Sequence, residues 1–323
     1  MSNKTLLSVQ NLKVWFPVRR GFWQRTIGHV KAVDGVSFDI NEGETLGLVG
    51  ESGCGKTTTG RALLRLIPAS GGKVLFGEDN VLMTYNERLK KLRRDLQIVF
   101  QDPYGSMNPR MTIRSIIEEG LIVQKIGTPK ERLERVMEVM EKVGLDATCL
   151  YRYPHEFSGG QRQRVCIARA LVLKPKFVVL DEPISALDVS IQSQIINLLV
   201  KLREENGLTY LFISHDLSVV QYLSNRVSVM YLGKMVESAP SEELYRNPVH
   251  PYTQALLSSM PTLDESRRQK RILLQGDVPS PMNPPKNCRF CTRCPMKLPI
   301  CTEVPPPLVE VSPGHKVLCH RAK

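Results

Sequence analysis

The sequence predicts a mixed α/β fold, a parallel sheet flanked by helices, followed by a small irregular carboxyl-terminal extension rich in cysteine. Three observations predict it. The apolar run Thr45-Leu46-Gly47-Leu48-Val49 leads straight into the glycine loop GESGCGKT at 50–57, and helical spacing follows to about Leu66. The runs FVVL at 177–180 and YLFI at 210–213 are continuously apolar, as strands covered on both faces of a parallel sheet must be. Beyond about residue 240 prolines crowd the chain, most densely over 279–307, and Cys288, Cys291, Cys294, Cys301 and Cys319 fall close together.

The elements follow in order. Residues 5–50 read as short strands joined by turns. The opening MSNKTLLSVQNLKVWF alternates polar and apolar residues like a strand and lacks a continuous hydrophobic segment with a cleavage site, so no secretory leader is expected. Residues 85–97 and 112–144 are charge-rich with apolar residues three and four apart, which reads as helices. In HEFSGGQRQRVCIARAL, 155–171, a Ser-Gly-Gly-Gln loop opens a helix along which Val165, Ile167, Ala168 and Leu171 recur at helical spacing. Residues 226–235 supply the last strands of this part. Pro240, Pro248, Pro251 and Pro261 then announce a tail with little regular structure, and no internal repeat is present.

Composition narrows the class. A 323-residue chain that is 42% apolar is long enough for one large domain and a smaller one. The formal charge of +12 invites a nucleic-acid reading, but the basic residues are interleaved with 32 acidic ones and form no block. No stretch approaches the roughly 18 consecutive apolar residues that a bilayer span needs, so a membrane role has to come through a partner.

Residues 50–57 fit G-x4-G-K-[ST] completely. The loop backbone must approach oxygen atoms closely with positive φ, hence Gly50, Gly53 and Gly55. Ser52, Cys54 and Thr58 complete the cradle, Lys56 reaches the β- and γ-phosphates, and the Thr57 hydroxyl holds Mg²⁺. At the end of the strand 177–180, Asp181 is placed to orient the Mg²⁺ shell and Glu182 to polarise an attacking water. A second anion-binding helix start, Ser158-Gly159-Gly160-Gln161, stands a hundred residues beyond the first. One chain thus carries two phosphate cradles.

The motifs GESGCGKTT, VFQDP with Gln101, FSGGQ, LDEP, SALD and ISHD with His215 resemble, in order and spacing, those of ATP-binding-cassette ATPases over about residues 5–240. The resemblance implies a P-loop NTPase with a RecA-like core, an antiparallel β-subdomain and a helical subdomain inserted at about 100–168. It also explains the second cradle. In that family the Ser-Gly-Gly-Gln element closes over the ATP of a second subunit, so Ser158, Gly159, Gly160 and Gln161 serve a neighbour's nucleotide. Gln101 is similar to the glutamine that touches Mg²⁺ and water, His215 to the histidine that grips the γ-phosphate, and Asp188 to the aspartate at the dimer seam. Phe16, with Trp15 beside it, occupies the place of the ring stacked on adenine. Asp102, Tyr104 and Met107 lie where the family receives a short helix of a membrane partner. Two departures, Phe157 for the commoner leucine and Ile184 for threonine, lie outside the phosphate contacts.

The segment NPVHPYTQALLSSMP, 247–261, and the cysteine run after it resemble the carboxyl-terminal extension of ATP-binding subunits of oligopeptide and dipeptide importers. The implied organisation is a cassette over 1–240 and an extension over 241–323. The implied function is the ATP-hydrolysing motor for di- or oligopeptide uptake, at the cytoplasmic face of the cell membrane. Its partners would be integral membrane permease subunits, a second identical or homologous ATPase and, indirectly, an external solute-binding protein, with no nucleic acid. Relatives that move nickel, glutathione or oligosaccharides carry the same extension, so these solutes stay open. A soluble non-transport cassette is disfavoured because the chain has neither a second cassette nor a long coiled-coil insertion. Five soft ligands in a short basic segment suit zinc or a four-iron four-sulfur cluster, or are free thiols. The family pattern places a cluster on Cys288, Cys294, Cys301 and Cys319, with Cys291 supernumerary.

Overall fold

The computed structural model describes residues 4–260 and 272–322; the expectation placed on Pro261 lies outside them. The described chain falls into two compact units, one of residues 5–40, 45–82, 214–260 and 272–322, the other of residue 4, 41–44 and 83–213.

The first unit contains a four-stranded sheet in the order Arg25–Asn41, Thr5–Arg20, Gly71–Phe76, Asp79–Asn80. Thr5–Arg20 and Gly71–Phe76 run antiparallel, Leu7 opposite Phe76 and Val9 opposite Val74. The sequence reading of short strands is corrected here: Thr5–Arg20 and Arg25–Asn41 are 16 and 17 residues long. The turn between them, Gly21–Gln24, carries Phe22 and Trp23 in solvent, and this exposed aromatic pair masks the hairpin in the hydropathy pattern.

A second sheet segment in this unit holds Thr45–Val49 parallel to Arg226–Tyr231, which continues antiparallel into Lys234–Pro240. Every residue of Thr45–Val49 is buried, as expected of a strand with both faces covered. The extension is more regular at its ends than its proline content implies. It opens with helices Ser241–Arg246 and Pro251–Ser258 and closes with a hairpin, Leu308–Ser312 and His315–Leu318. The last strand pairs antiparallel with Lys234–Pro240, so the chain's end is stitched into the sheet. His315 secures the seam: its Nε2 lies 2.7 Å from Glu237 Oε1, both groups fully buried. The Glu237 carboxylate also accepts the N–H groups of Val249 and His250 at 2.8 and 3.0 Å, which satisfies a charge that burial would otherwise penalise.

The other unit is built on three parallel strands ordered Leu96–Val99, Phe177–Asp181, Thr209–Ile213, the last two buried throughout. Helices Ile113–Val123 and Pro129–Lys142 cover the range read as helical. They are divided at Gly127-Thr128, where Thr128 Oγ1 caps Glu131 N–H and Glu131 returns a bond to Thr128 N–H, with Pro129 at the first helical position. Buried Glu118 is held by Arg132 at 2.8 Å and Arg114 at 3.2 Å. The helix Val189–Asn206 ends at Gly207 with φ 62°, a left-handed cap.

Candidate active site

In the first unit the glycine loop joins Thr45–Val49 to the helix Lys56–Leu63. Its glycines are required sterically. Gly50 has φ 149° and a Cβ there would stand 2.1 Å from Met230 O; Gly55 has φ 110° and a Cβ there would stand 2.1 Å from Ala32 O. The Lys56 ammonium is buried inside the loop, donating to Gly50 O at 2.7 Å and Glu51 O at 3.1 Å. Ser52 and Gly53 form the exposed lip, Thr57 and Thr58 are half-buried at the helix start, and Cys54 is buried, its thiol pushed up by desolvation. His215 is exposed, between Ser214 and Asp216; Asp216 caps the helix Leu217–Leu223 through Ser218 N–H and Val219 N–H.

The same unit orients the aromatic pair near the amino terminus. The Trp15 indole donates to Asp34 Oδ1 at 3.2 Å, and the Lys31 and Lys13 ammonium groups lie 5.1 and 5.7 Å from its ring. Phe16 is 41% exposed. Trp15 is thus held by several contacts, and Phe16 is the more exposed of the two.

In the other unit Asp181 ends the strand Phe177–Asp181 fully buried, and Glu182 follows with φ 47°, a left-handed conformation unusual for a non-glycine residue. Glu182 N–H donates to Ile213 O, which holds that backbone, and Gln101 Nε2 donates to Glu182 Oε2 at 2.9 Å. Strained backbone of this kind concentrates where a carboxylate must be held in one direction.

Ser158 caps the helix Gly159–Leu171 in a capping box. Its hydroxyl accepts from Gln161 N–H, and Gln161 Oε1 accepts from Ser158 N–H at 3.0 Å. Gly160 has a packing reason: a Cβ there would lie 2.5 Å from Ile191 Cγ2, and one on Gly159 would touch Leu187 at 3.3 Å. The Gly-Gly pair therefore seats the helix start against the segment that carries Asp188, the exposed residue before Val189–Asn206. Ser158, Gly159 and Gln161 themselves face solvent. Of the three residues expected to receive a partner helix, Asp102 and Tyr104 are exposed, with Arg162 stacked 5.2 Å from the Tyr104 ring, but Met107 is buried and belongs to the core.

The cysteines of the extension gather around Cys301. Cys288 is pushed up to about 11 by burial, with Cys301, Cys291 and Cys319 close enough to add to the effect, and Cys294 and Cys319 are raised for the same reasons. Their donor chemistry suits a soft metal. Among the described residues no three His, Cys, Asp or Glu side chains come together as a ligand set, so a metal centre on Cys288, Cys294, Cys301 and Cys319 is not shown.

Two residues that sequence reasoning missed, Tyr252 and Arg293, stand beside the glycine loop. Glu51 N–H donates to the Tyr252 hydroxyl at 2.8 Å, and the Glu51 carboxylate receives both arms of Arg293 at 2.8 and 3.2 Å. The bond to Glu51 holds the Arg293 guanidinium above its usual range. The available signal was Glu51 itself, an acid inside a phosphate cradle, which calls for a cation.

Comparison with known proteins completes the picture. Residues 33–185 match the family described as ABC transporter, and 236–301 match the oligopeptide/dipeptide transporter C-terminal region. The chain is 55% identical over 322 residues to the oligopeptide transport ATP-binding protein AppF of Bacillus subtilis, covering 99% of this chain and 98% of that one. It is 49% identical to the dipeptide transport ATP-binding protein DppF of Haemophilus influenzae, covering 98% and 97%. Among solved structures it resembles the dimeric cassette MJ0796 in a post-hydrolysis state bound to ADP and phosphate, with TM-score 0.64 and 29% identity over 73% of this chain and 98% of that one. CbiO1 of Clostridium perfringens, part of a transporter complex, gives TM-score 0.64 and 28% identity over 76% and 92%.

Proposed function

The chain belongs to the ATP-binding-cassette transporter family, with the oligopeptide/dipeptide type of carboxyl-terminal region, and on that premise we propose that it is the ATP-hydrolysing motor of a peptide importer. One observation carries the reading: the 55% identity is measured over 322 residues, 99% of this chain, a span that takes in both the glycine loop and the extension. Partners follow from the role. Two permease subunits carry the peptide, a second cassette completes the ATP pair, and an external binding protein delivers cargo to the permeases. The described residues contain no helix long and apolar enough to cross a membrane. We place the subunit at the cytoplasmic face of the membrane, the side that holds ATP, as a cassette over 1–240 with its helical insertion at about 100–168 and an extension over 241–323.

The backbone of 50–57 wraps the phosphates, which positive φ at Gly50, Gly53 and Gly55 makes sterically possible, and Lys56 turns its ammonium from the loop carbonyls to the β- and γ-oxygens. Mg²⁺, when bound, neutralises charge developing on those oxygens; Thr57, Gln101 and Asp181 would hold it. Glu182, fixed by its backbone and by Gln101, orients the attacking water and takes its proton. His215 steadies the γ-phosphate, and Phe16 stacks on adenine. Ser158, Gly159, Gly160 and Gln161 of one subunit, with Asp188 beside them, close over the nucleotide of the other, where the dipole of the helix Gly159–Leu171 favours an anion. Hydrolysis removes that anion bridge, and the pair separates.

A four-iron four-sulfur cluster, or zinc, on Cys288, Cys294, Cys301 and Cys319 remains a proposal for the extension, supported by the closeness of the thiols, and no step of the ATP cycle passes through it. Iron, zinc and acid-labile sulfide measured on anaerobically prepared protein decide among cluster, zinc and free thiols. The function is tested by reconstituting the chain with its permeases, partner ATPase and binding protein in vesicles: ATP-driven accumulation of labelled peptides is expected. Accumulation of nickel, glutathione or an oligosaccharide in place of peptides would overturn the substrate class.

A further inference from the structure

The phosphate loop contains a carboxylate that the chemistry of a polyphosphate does not want. ATP brings several negative charges to residues 50–57, and Glu51 adds one of the same sign within the loop. Like charges at this range repel strongly wherever water is scarce. The chain answers from 242 residues away: Arg293 clamps Glu51 with both guanidinium arms, and its side chain is only 9% exposed. The clamp is itself braced. Phe290, fully buried, packs at 5.2 and 5.4 Å ring separations on Tyr231 and Tyr252, and Tyr252 accepts the Glu51 N–H. Arg289, four residues earlier, pairs with Asp34, which also holds the Trp15 indole. The segment 289–293 therefore grips both the phosphate loop and the aromatic corner of the nucleotide-binding unit.

We propose that the carboxyl-terminal extension is a working part of the nucleotide site, with Arg293 a positioning residue that neutralises Glu51 and fixes the loop for MgATP. The extension thereby gains a means of setting ATP affinity. The inference rests on the ATP reading above.

The test is MgATP titration of the purified full chain and four variants: Arg293→Met, Arg293→Lys, Glu51→Gln/Arg293→Met and Lys56→Met. Urea unfolding without nucleotide is measured on each, so that a loss of fold is seen separately from a loss of affinity. Arg293→Met is expected to weaken binding about tenfold, equivalent to about 1.4 kcal/mol, because it leaves the carboxylate uncompensated. The loss should shrink at high salt, which screens repulsion. Arg293→Lys keeps the charge and recovers part of the loss. The decisive result is the double variant: removing the charge of Glu51 as well is expected to restore binding to within about twofold of wild type. A merely structural arginine predicts the opposite, a double variant at least as weak as the single one, and that result overturns the proposal, as does Arg293→Met binding like wild type while Lys56→Met does not bind. Lys56→Met binding like wild type would instead bring down the phosphate-loop reading itself.

Discussion

Replacing Gly55 by alanine tests the steric logic of the phosphate loop. Gly55 has φ 110° and ψ 7°, and an added Cβ would lie 2.1 Å from Ala32 O and 2.8 Å from Met230 Cε. The methionine methyl can rotate away; the carbonyl oxygen cannot, and the overlap is more than an ångström inside ordinary contact. Left-handed backbone costs an alanine roughly 1–2 kcal/mol, and forced displacement of packed backbone roughly 1–3 kcal/mol more. The expected loss is about 2–5 kcal/mol of folding stability, a large share of the 5–15 kcal/mol typical of a domain. Gly53 provides the control. It has φ 77° with no atom within 4 Å of its would-be Cβ, so Gly53→Ala should cost only the backbone part, about 1 kcal/mol. Urea unfolding measures both, and MgATP titration should show binding weakened more than tenfold in Gly55→Ala. Equal stability of the two variants would refute the claim that the Ala32 carbonyl dictates glycine at 55.

Three further outcomes follow from other parts of the structure. Gln101→Leu removes the hydrogen bond to Glu182 as well as a proposed Mg²⁺ contact and should slow ATP turnover about tenfold, read as a fall in kcat at saturating MgATP. His250 is buried and held down to about 3 by desolvation, its Nδ1 accepting Tyr252 N–H. The unfolded chain therefore takes up a proton that the folded one refuses. Stability should decline as pH falls below about 6.5, by at most about 1.4 kcal/mol per unit, and His250→Asn, which keeps an acceptor, should flatten that part of the urea-midpoint profile. Thr128→Ala breaks the capping box of Pro129–Lys142 and should cost about 1 kcal/mol by urea unfolding.

What could be read from the sequence was what local chemistry dictates. The glycines at 50, 53 and 55 announce positive φ, the apolar runs at 45–49, 177–180 and 210–213 announce buried strands, and Ser158 with Gln161 announces a helix start; each lies within a few residues of its cause. The long hairpin of Thr5–Arg20 and Arg25–Asn41 was obscured because Phe22 and Trp23 put aromatic rings at an exposed turn, against the usual sense of hydropathy. The ends of the extension were obscured for another reason. Proline density reads as irregularity, yet His315–Leu318 is ordered by pairing with a strand some 78 residues earlier, His315 bonding to Glu237. Contacts at such separation leave no periodicity. The same holds for Arg293 on Glu51: the acid was visible, but nothing local named its partner. The Gly159-Gly160 pair shows the converse, since a motif read for its ligand also has a packing role against Leu187 and Ile191.

Glu182 is the residue proposed to activate water in an ATP-driven pair of cassettes. The direct measurement compares wild type with Glu182→Gln, each assembled with its permeases and partner ATPase, scoring MgATP binding, hydrolysis and sedimentation together. Glu182→Gln is predicted to bind MgATP as wild type does, to lose at least about a hundredfold in hydrolysis, and to accumulate as the closed pair. Hydrolysis at the wild-type rate, or MgATP-saturated Glu182→Gln that never pairs, would contradict it.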